Sequence, residues 1–243
     1  MITLRRAEER RYDRQKKREV WLTFYSKDGA DPLANGFGGL EILKEERLPP
    51  GARVQSPAQR GVEIVTYVRD GGLAYEDSSG RSGVIHAGEF QRMSPERGIR
   101  HSETNASRTD WAHVFQIRLR PAEAGLDRSP EQKRFSTAQR RGGLCVVASP
   151  DARSGSLLIH QDTLMYSALL ETGKHVAHEL TPGRSAWLHV VQGEVTLGDL
   201  VLTSGDGAGV SAERAVSFTV RQACEILLFD LSEQLPARTK DLP

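Results

Sequence analysis

The sequence predicts an all-β protein made of two tandem barrels, and three observations favour this fold. Short runs rich in β-branched and aromatic residues follow one another, separated by clusters of Gly, Pro, Asp and Asn. Several runs alternate apolar and polar residues, as VFQIRL does from Val114 to Leu119. In both halves, a strand, a Gly turn and a second strand lead to an apolar run that ends in Gly-Glu or Gly-Asp, which indicates an internal duplication.

The strand-like runs divide the chain into two domains. For residues 1–120 we predict strands in GGLEILKEERL, VEIVTYVRDG, GLAYEDS, SGVIHAG, EFQRMS and AHVFQIRLR. Residues 121–141 are polar, contain proline and are poor in strand patterns, so we predict a linker that holds a turn or two of helix. For residues 142–243 we predict strands in LCVVAS, GSLLIHQDTLMYSALL, WLHVVQGEVTLG, LVLTSGDGAGVS, AVSFTV and EILLFDL.

Charge and composition limit the classes of partner. Among the 243 residues, 33 Lys and Arg balance 32 Asp and Glu, so no overall field would attract nucleic acid or an anionic membrane, and we expect neither partner. The sequence has no apolar run long enough to span a membrane and has charges near its N-terminus, which predicts a cytoplasmic protein. Cys145 and Cys224 lie in apolar runs, so we expect reduced, buried thiols.

One pair of polar residues is typical of a metal site inside a β-barrel. His101 and Glu103 are two residues apart, and residues i and i+2 of a strand face the same side, so both side chains can point into the barrel. Imidazole with carboxylate suits non-haem iron, nickel, manganese or zinc. Two further ligands would be needed, normally from a second His-x-His strand nearby.

The chain resembles the pirin family of the cupin superfamily. The resemblance rests on DPLANGFGGLEILKEERLPPGARV, on VEIVTYVRDGGLAYEDSSGRSGVIHAGEFQRMS followed by Gly-x-x-His-Ser-Glu, and more weakly on SPDARSGSLLIHQD and LLFDL. It implies two tandem cupin (jelly-roll-type) β-barrels, a bicupin, with one metal in the first barrel held by His-x-His and a later His-x-Glu. The resemblance also implies that the second barrel lacks a metal. Some members of this family are quercetin 2,3-dioxygenases, which open a flavonol ring with O2, and others are nuclear transcriptional cofactors.

This sequence departs from the family pattern at half of the implied ligand set. Pro57 and Gln59 occupy the positions of the first two histidines, and no histidine occurs from Arg53 to Gly61. A proline side chain has no donor atom, and a glutamine amide is a weak, neutral ligand that favours hard cations. The implied metal ligands are therefore His101, Glu103 and, weakly, Gln59, and we expect either no metal or a weakly bound Fe, Ni, Mn or Zn ion.

Other residues complete the predicted site. Pro57, Glu63 and Met93 are candidates for the lining of the pocket. We do not expect other histidines to replace the missing ligands, because His86 and His113 lie near turns or loops, and because His175 and His178, three apart, would face opposite sides of a strand. If no metal binds, His101 and Glu103 would form a hydrogen-bonded cluster with Gln59 and water.

The sequence leaves three functions open. The favoured one is a metal-free, pirin-like bicupin, expected to be a monomer, that binds a small apolar or aromatic ligand or a protein partner and acts as a regulator. The alternative is a metal-dependent oxygenase of the quercetin 2,3-dioxygenase type, in which Glu103 is both a ligand and the catalytic base. The third is a redox-responsive regulator that uses Cys145 or Cys224.

Overall fold

The computed structural model describes residues 1–25, 31–56, 62–78, 80–93, 101–120 and 130–233. In these ranges the chain folds into two β-barrels in tandem, as the sequence predicts. Within these ranges, helix is limited to short 3-10 turns at Ala7–Glu9 and Arg153–Gly155 and to one α-helical turn, α1 (Thr137–Arg140). None of the helices in this part of the chain has the length and hydropathy needed to span a bilayer.

The first strand of the chain, β1 (Ile2–Arg5), belongs to the second barrel, and the first barrel begins with the strand after it. Its strands are β2 (Arg11–Gln15), β3 (Arg18–Leu22), β4 (Leu40–Leu48), β5 (Arg53–Ser56), β6 (Glu63–Asp70), β7 (Gly72–Asp77), β8 (Ser82–His86), β9 (Glu89–Met93), β10 (His101–Asn105), β11 (Ala112–Leu119) and β12 (Glu131–Arg134). They form a sheet of order β12-β9-β6-β11-β4-β3-β2 and a smaller sheet of order β5-β10-β7-β8.

The second barrel is built around two long strands, one of 14 and one of 18 residues, which pair along most of their lengths. Its strands are β13 (Cys145–Ser149), β14 (Leu157–Leu158), β15 (Thr163–Leu170), β16 (His175–Glu179), β17 (Arg184–Leu197), β18 (Leu200–Thr203), β19 (Gly207–Val210) and β20 (Ala215–Ser232). The sheet order is β1-β19-β17-β20-β15-β13-β14, and β16 and β18 pair with β20 and β17.

The central strands of the larger sheet, β4, β6, β9 and β11, direct alternate side chains into two different cores. In β11, Val114 packs into the core of the first barrel with Leu48, Val68 and Leu73. The residues on the opposite face of this sheet join a core shared with the second barrel. This core includes Leu43, Val65, Tyr67, Phe90, Phe115, Ile117, Trp187, Leu227 and Phe229. Period-two alternation therefore divides the strands of this sheet between two cores.

Two segments depart from the predicted domain division. Strand β1, from the predicted first domain, pairs with β19 of the second barrel, with Ile2 opposite Val210. Strand β12, from the predicted linker, pairs with β9 of the first barrel, with Gln132 opposite Gln91. The N-terminal strand thus belongs to the second barrel and part of the predicted linker to the first, and a short α-helical turn follows β12 as expected.

Candidate functional site

The predicted pair lies on β10, in the smaller sheet of the first barrel. This strand is paired on both sides, with His101 opposite Ser56 of β5 and Asp77 of β7. Because side chains alternate along a strand, His101 and Glu103 share one face. Glu103 reaches Gln116 of the larger sheet, so that face points into the barrel, as the sequence predicts for it.

Glu103 accepts a hydrogen bond from the sheet on the opposite side of the barrel. The Nε2 amide of Gln116 donates to its Oε1 oxygen over 2.6 Å. Burial raises the pKa of Glu103 above its usual 4.5, with nearby Lys44 opposing the shift and Glu46 adding to it. Glu46 itself is neutralised by ion pairs with Lys44, at 2.6 Å, and Arg18, at 2.7 Å. The carboxyl group of Glu103 therefore takes up a proton more readily than an exposed glutamate does.

His101 has the opposite character, because its imidazole is left without a partner. Both ring nitrogens are shielded from solvent, and neither has a hydrogen-bond partner among the described residues. Burial lowers the pKa of His101 below its usual 6.5, which favours the neutral ring. A neutral imidazole offers one N–H donor and one acceptor nitrogen. Buried polar atoms without partners cost about 1–3 kcal/mol each, which makes this ring a natural contact for a bound molecule.

The other predicted site residues are divided between two environments. Met93 pairs with Ile64 across β9 and β6 and lies, half-buried, on the face directed into the first barrel. Glu63 lies on the opposite face, where its carboxylate accepts a 2.8 Å hydrogen bond from the backbone N–H of His160 in the second barrel. The expectation that Glu63 lines the pocket is therefore corrected, because the odd-numbered residues of β6 face the second barrel. Pro57 and Gln59 lie outside the described residues.

The remaining histidines are distant from this pair or engaged elsewhere. His113 is buried against Glu45, with its Nε2 2.7 Å from the carboxylate, on the face toward the second barrel. His86 is exposed at the end of β8. In the second barrel, His175 contacts Thr219, and His178 contacts Asp230.

The two cysteines are not joined by a disulfide. Both are free thiols, with Cys224 buried and Cys145 partly exposed. Burial raises the pKa of both thiols, to about 11 for Cys224, so neither is activated as a thiolate.

The described residues at β10 supply only part of a set of metal ligands. Among the residues that the structure describes, no group of three or more His, Cys, Asp or Glu side chains is arranged to hold a metal ion. The pair at β10 supplies one unpartnered imidazole, on His101, and one carboxyl group that already accepts a hydrogen bond, on Glu103. At Pro57 and Gln59 the sequence adds no imidazole or carboxylate.

Sequence reasoning missed the polar residues that face this pair. Gln116 lies two residues after Val114, and Lys44 and Glu46 two and four residues after Ile42, all on strand faces directed into the first barrel. Polar residues at positions that the period of a strand assigns to a core are unusual, and they indicate a site. The sequence segments EILKEERL and AHVFQIRL therefore already contain these polar residues at positions that face the barrel interior.

Comparisons with known proteins agree with this architecture. The pirin family model matches residues 4–119, and the model described as the quercetinase C-terminal cupin domain matches residues 146–231. The chain is 37% identical over 231 residues to the quercetin 2,3-dioxygenase of Escherichia coli strain K12, covering 95% of this chain and 99% of that protein. A pirin-like protein of Caulobacter vibrioides is 30% identical over 201 residues, covering 82% of this chain and 86% of the relative.

Solved structures give the same result. The crystal structure of the bacterial pirin YhhW from Escherichia coli in complex with nickel(II) has a TM-score of 0.86 and 35% sequence identity, and the match covers 96% of this chain and 100% of that one. The fold, the two family-model matches and the level of identity lead to one conclusion: this chain is a bicupin that belongs to the pirin family.

Proposed function

We propose that this pirin-family bicupin binds a small aromatic ligand in its first barrel and has lost the tight metal binding on which oxygenase chemistry depends. The observation that carries the proposal is the donor set. It contains one imidazole, on His101, one carboxyl group that Gln116 already engages, on Glu103, and neither histidine of the implied His-x-His pair. Loss of a residue that merely supports a metal ligand already weakens metal binding about 10- to 100-fold. Loss of two ligands should weaken metal binding further.

The barrel retains groups suited to an organic molecule. The neutral ring of His101 can donate one hydrogen bond and accept another, and its nitrogens have no competing partner among the described residues. The carboxyl group of Glu103 can accept a hydrogen bond from a ligand hydroxyl group. Met93 adds an adaptable apolar surface on the facing side. A flat molecule with hydroxyl groups, such as a phenol, matches these contacts. If binding of a protein partner depends on whether the barrel holds a ligand, the protein would act as a regulator.

The direct test restores the missing ligands. Wild-type protein and the double variant Pro57→His with Gln59→His are titrated with nickel(II), and the affinities are measured by calorimetry. We expect weak or undetectable binding by the wild type and a gain of at least about 100-fold in the double variant, since two ligands are recovered. As a matched control, adding His101→Ala to the double variant should remove most of the gain. Tight nickel binding by the wild type, or no gain in the double variant, would contradict the proposal.

A second candidate function is a metal-dependent oxygenase of the quercetin 2,3-dioxygenase type, in which His101 and Glu103 are metal ligands. One observation favours it: both nitrogens of His101 are buried and unpartnered, as a ligand histidine would be in the absence of its ion. The Escherichia coli relative that carries this activity in its name adds support. Oxygen uptake with quercetin, after addition of iron, nickel, manganese or zinc, tests this candidate. Uptake that is lost in His101→Ala would establish it over the first.

A further inference from the structure

A second recess lies between the two barrels, apart from the His101 and Glu103 site. Its volume is about 530 Å³, which is within the range of pockets that bind small organic molecules. The first barrel contributes β3, β4, β6 and β11, and the second contributes β17 and the turn before β19. The segment between β1 and β2, which crosses from one barrel to the other, adds Ala7 and Arg10. We call this recess the interbarrel cleft. Its lining residues include Arg10, Trp21, Glu45, Arg47, Arg69 and His113.

Two of the three cations in this lining are already neutralised. Arg69 forms ion pairs with Glu225 at 2.9 Å and with Asp70 at 2.6 Å. Arg10 pairs with Glu45 at 2.8 Å. Arg47 is exposed and forms no ion pair within the described part of the chain, and its guanidinium carbon lies 6.0 Å from the centre of the Trp21 ring. The cleft therefore presents an unmatched positive charge beside an aromatic surface.

The buried side of the cleft contains hydrogen-bonding groups without partners. Arg10 is 6% exposed, and its Nε and Nη2 atoms have no acceptor among the described residues, although Nη1 is bonded to Glu45. His189, within the electrostatic influence of Arg10 and Glu45, is fully buried, and both of its ring nitrogens are unpartnered. Such donors are normally satisfied by protein, by water or by a ligand. These atoms are also shielded from the open cleft, so they add polar character behind its surface and are not themselves contacts for a ligand.

A second aromatic side chain, that of Trp111, lies near the cleft and closer to the solvent. An adjoining recess shares Arg47, Arg69 and His113 with it and is also lined by Trp111, which is 45% exposed. Exposed tryptophans commonly supply a flat apolar contact in ligand sites. An arginine whose guanidinium lies over such a ring can still donate hydrogen bonds to a carboxylate from its N–H groups.

We propose that the interbarrel cleft binds a small aromatic carboxylate, whose carboxylate pairs with Arg47 and whose ring packs on Trp21. A neutral analogue would lose the charge-assisted hydrogen bonds, and an aliphatic acid would lose the ring contact. This site is separate from the one proposed inside the first barrel, and the two can be tested independently.

The test uses calorimetric titration of the full chain at neutral pH with benzoate, with its neutral counterpart benzamide and with acetate. We expect saturable binding of benzoate, and about tenfold or greater weakening for benzamide and for acetate. Arg47→Gln should weaken benzoate binding about tenfold and leave the weak binding of benzamide unchanged. The matched control is Arg134→Gln, which removes an exposed arginine of β12 outside the cleft and should leave benzoate binding unchanged.

A third variant separates this site from the barrel. His101→Ala should leave benzoate binding intact, whatever its effect on metals or on ligands of the first barrel. The proposal is overturned if benzoate does not bind saturably, if acetate binds equally well, if Arg47→Gln and Arg134→Gln have the same effect, or if His101→Ala abolishes binding. As a second readout, benzoate should quench the fluorescence of Trp21, and Trp21→Leu should both remove that quenching and weaken benzoate binding.

Discussion

At the residue scale, the buried histidines of this protein are held neutral by different surroundings. His101 is half-buried inside the first barrel, where loss of hydration lowers its pKa. His189 is fully buried between the barrels, where burial, reinforced by the positive charge of Arg10, lowers its pKa to about 3 despite the opposing charge of Glu45. Neutral histidines of this kind make the folded state sensitive to acid, because the unfolded chain can protonate them freely.

This gives a pH prediction for His189. Its pKa falls from 6.5 when unfolded to about 3 when folded, so between these values only the unfolded state binds the proton. The free energy of unfolding should therefore decrease as the pH falls below 6.5, by up to about 1.4 kcal/mol per pH unit from this residue. Urea unfolding of the wild type and of His189→Leu between pH 7 and pH 4 measures how the free energy of unfolding changes with pH. The slope should be smaller in His189→Leu and unchanged in the control His175→Gln, which removes an exposed histidine. Equal slopes in all three proteins would contradict the assignment.

Some of the site could be predicted from the sequence, and some could not. The shared face of His101 and Glu103 follows from the two-residue period of a strand, which depends only on local geometry. The partnership of Glu103 with Gln116 could not be predicted, because it depends on how two sheets face each other. Glu63 was misplaced for a related reason: β6 is buried on both sides, and burial alone does not indicate which core a residue joins.

At the scale of elements, strand identity was easier to predict than strand pairing. The predicted strand runs account for most of the observed strands, since short apolar runs between Gly and Pro clusters leave few alternatives. The sequence does not indicate that β1 crosses to β19, or that β12 completes a sheet of the first barrel. Such pairings depend on contacts between residues far apart in the chain.

Strand β17 contains a backbone feature that can be tested directly. Gly193 has a φ of +92° at a register shift between β17 and β20, and a Cβ atom there would lie 2.4 Å from the carbonyl oxygen of Ala223. Gly193→Ala should lower the free energy of unfolding by about 2 kcal/mol or more, because strain adds to a backbone clash. Gly51→Ala is the control, since Gly51 also has a positive φ but has no atom within 4 Å of an added Cβ. Urea unfolding should show a clearly smaller loss for Gly51→Ala, and equal losses would show that the clash has no effect.

At the scale of the whole molecule, the two barrels share one core. Trp187, Leu227 and Phe229 of the second barrel pack with Tyr67 and Phe115 of the first. A polar network reinforces this contact: the buried Tyr67 hydroxyl donates to Glu225, and Arg140 pairs with the same carboxylate at 3.1 Å. A shared apolar core of this kind couples the stability of the barrels, so separation of one would expose large apolar surfaces on both.

The shared core predicts a single cooperative unfolding transition. The tryptophans report on both units, with Trp21 on β3 and Trp111 beside β11 in the first barrel and Trp187 on β17 in the second. With 5-fluorotryptophan incorporated, the three fluorine resonances of the folded protein should disappear at the same urea concentration. Phe229→Ala should shift all three midpoints downward together, with a loss of about 3–5 kcal/mol. If the folded resonances of Trp21 and Trp111 persist at urea concentrations at which that of Trp187 has disappeared, the barrels unfold independently.

At the scale of the whole molecule, we propose that this pirin-family scaffold persists without a tight metal site. Elemental analysis of protein purified without added metal tests it most directly, with His101→Ala analysed in parallel. We expect iron, nickel, manganese and zinc to be well below one ion per chain in the wild type, with no further decrease in the variant. One full equivalent of any of these metals in the wild type, lost in His101→Ala, would contradict the account.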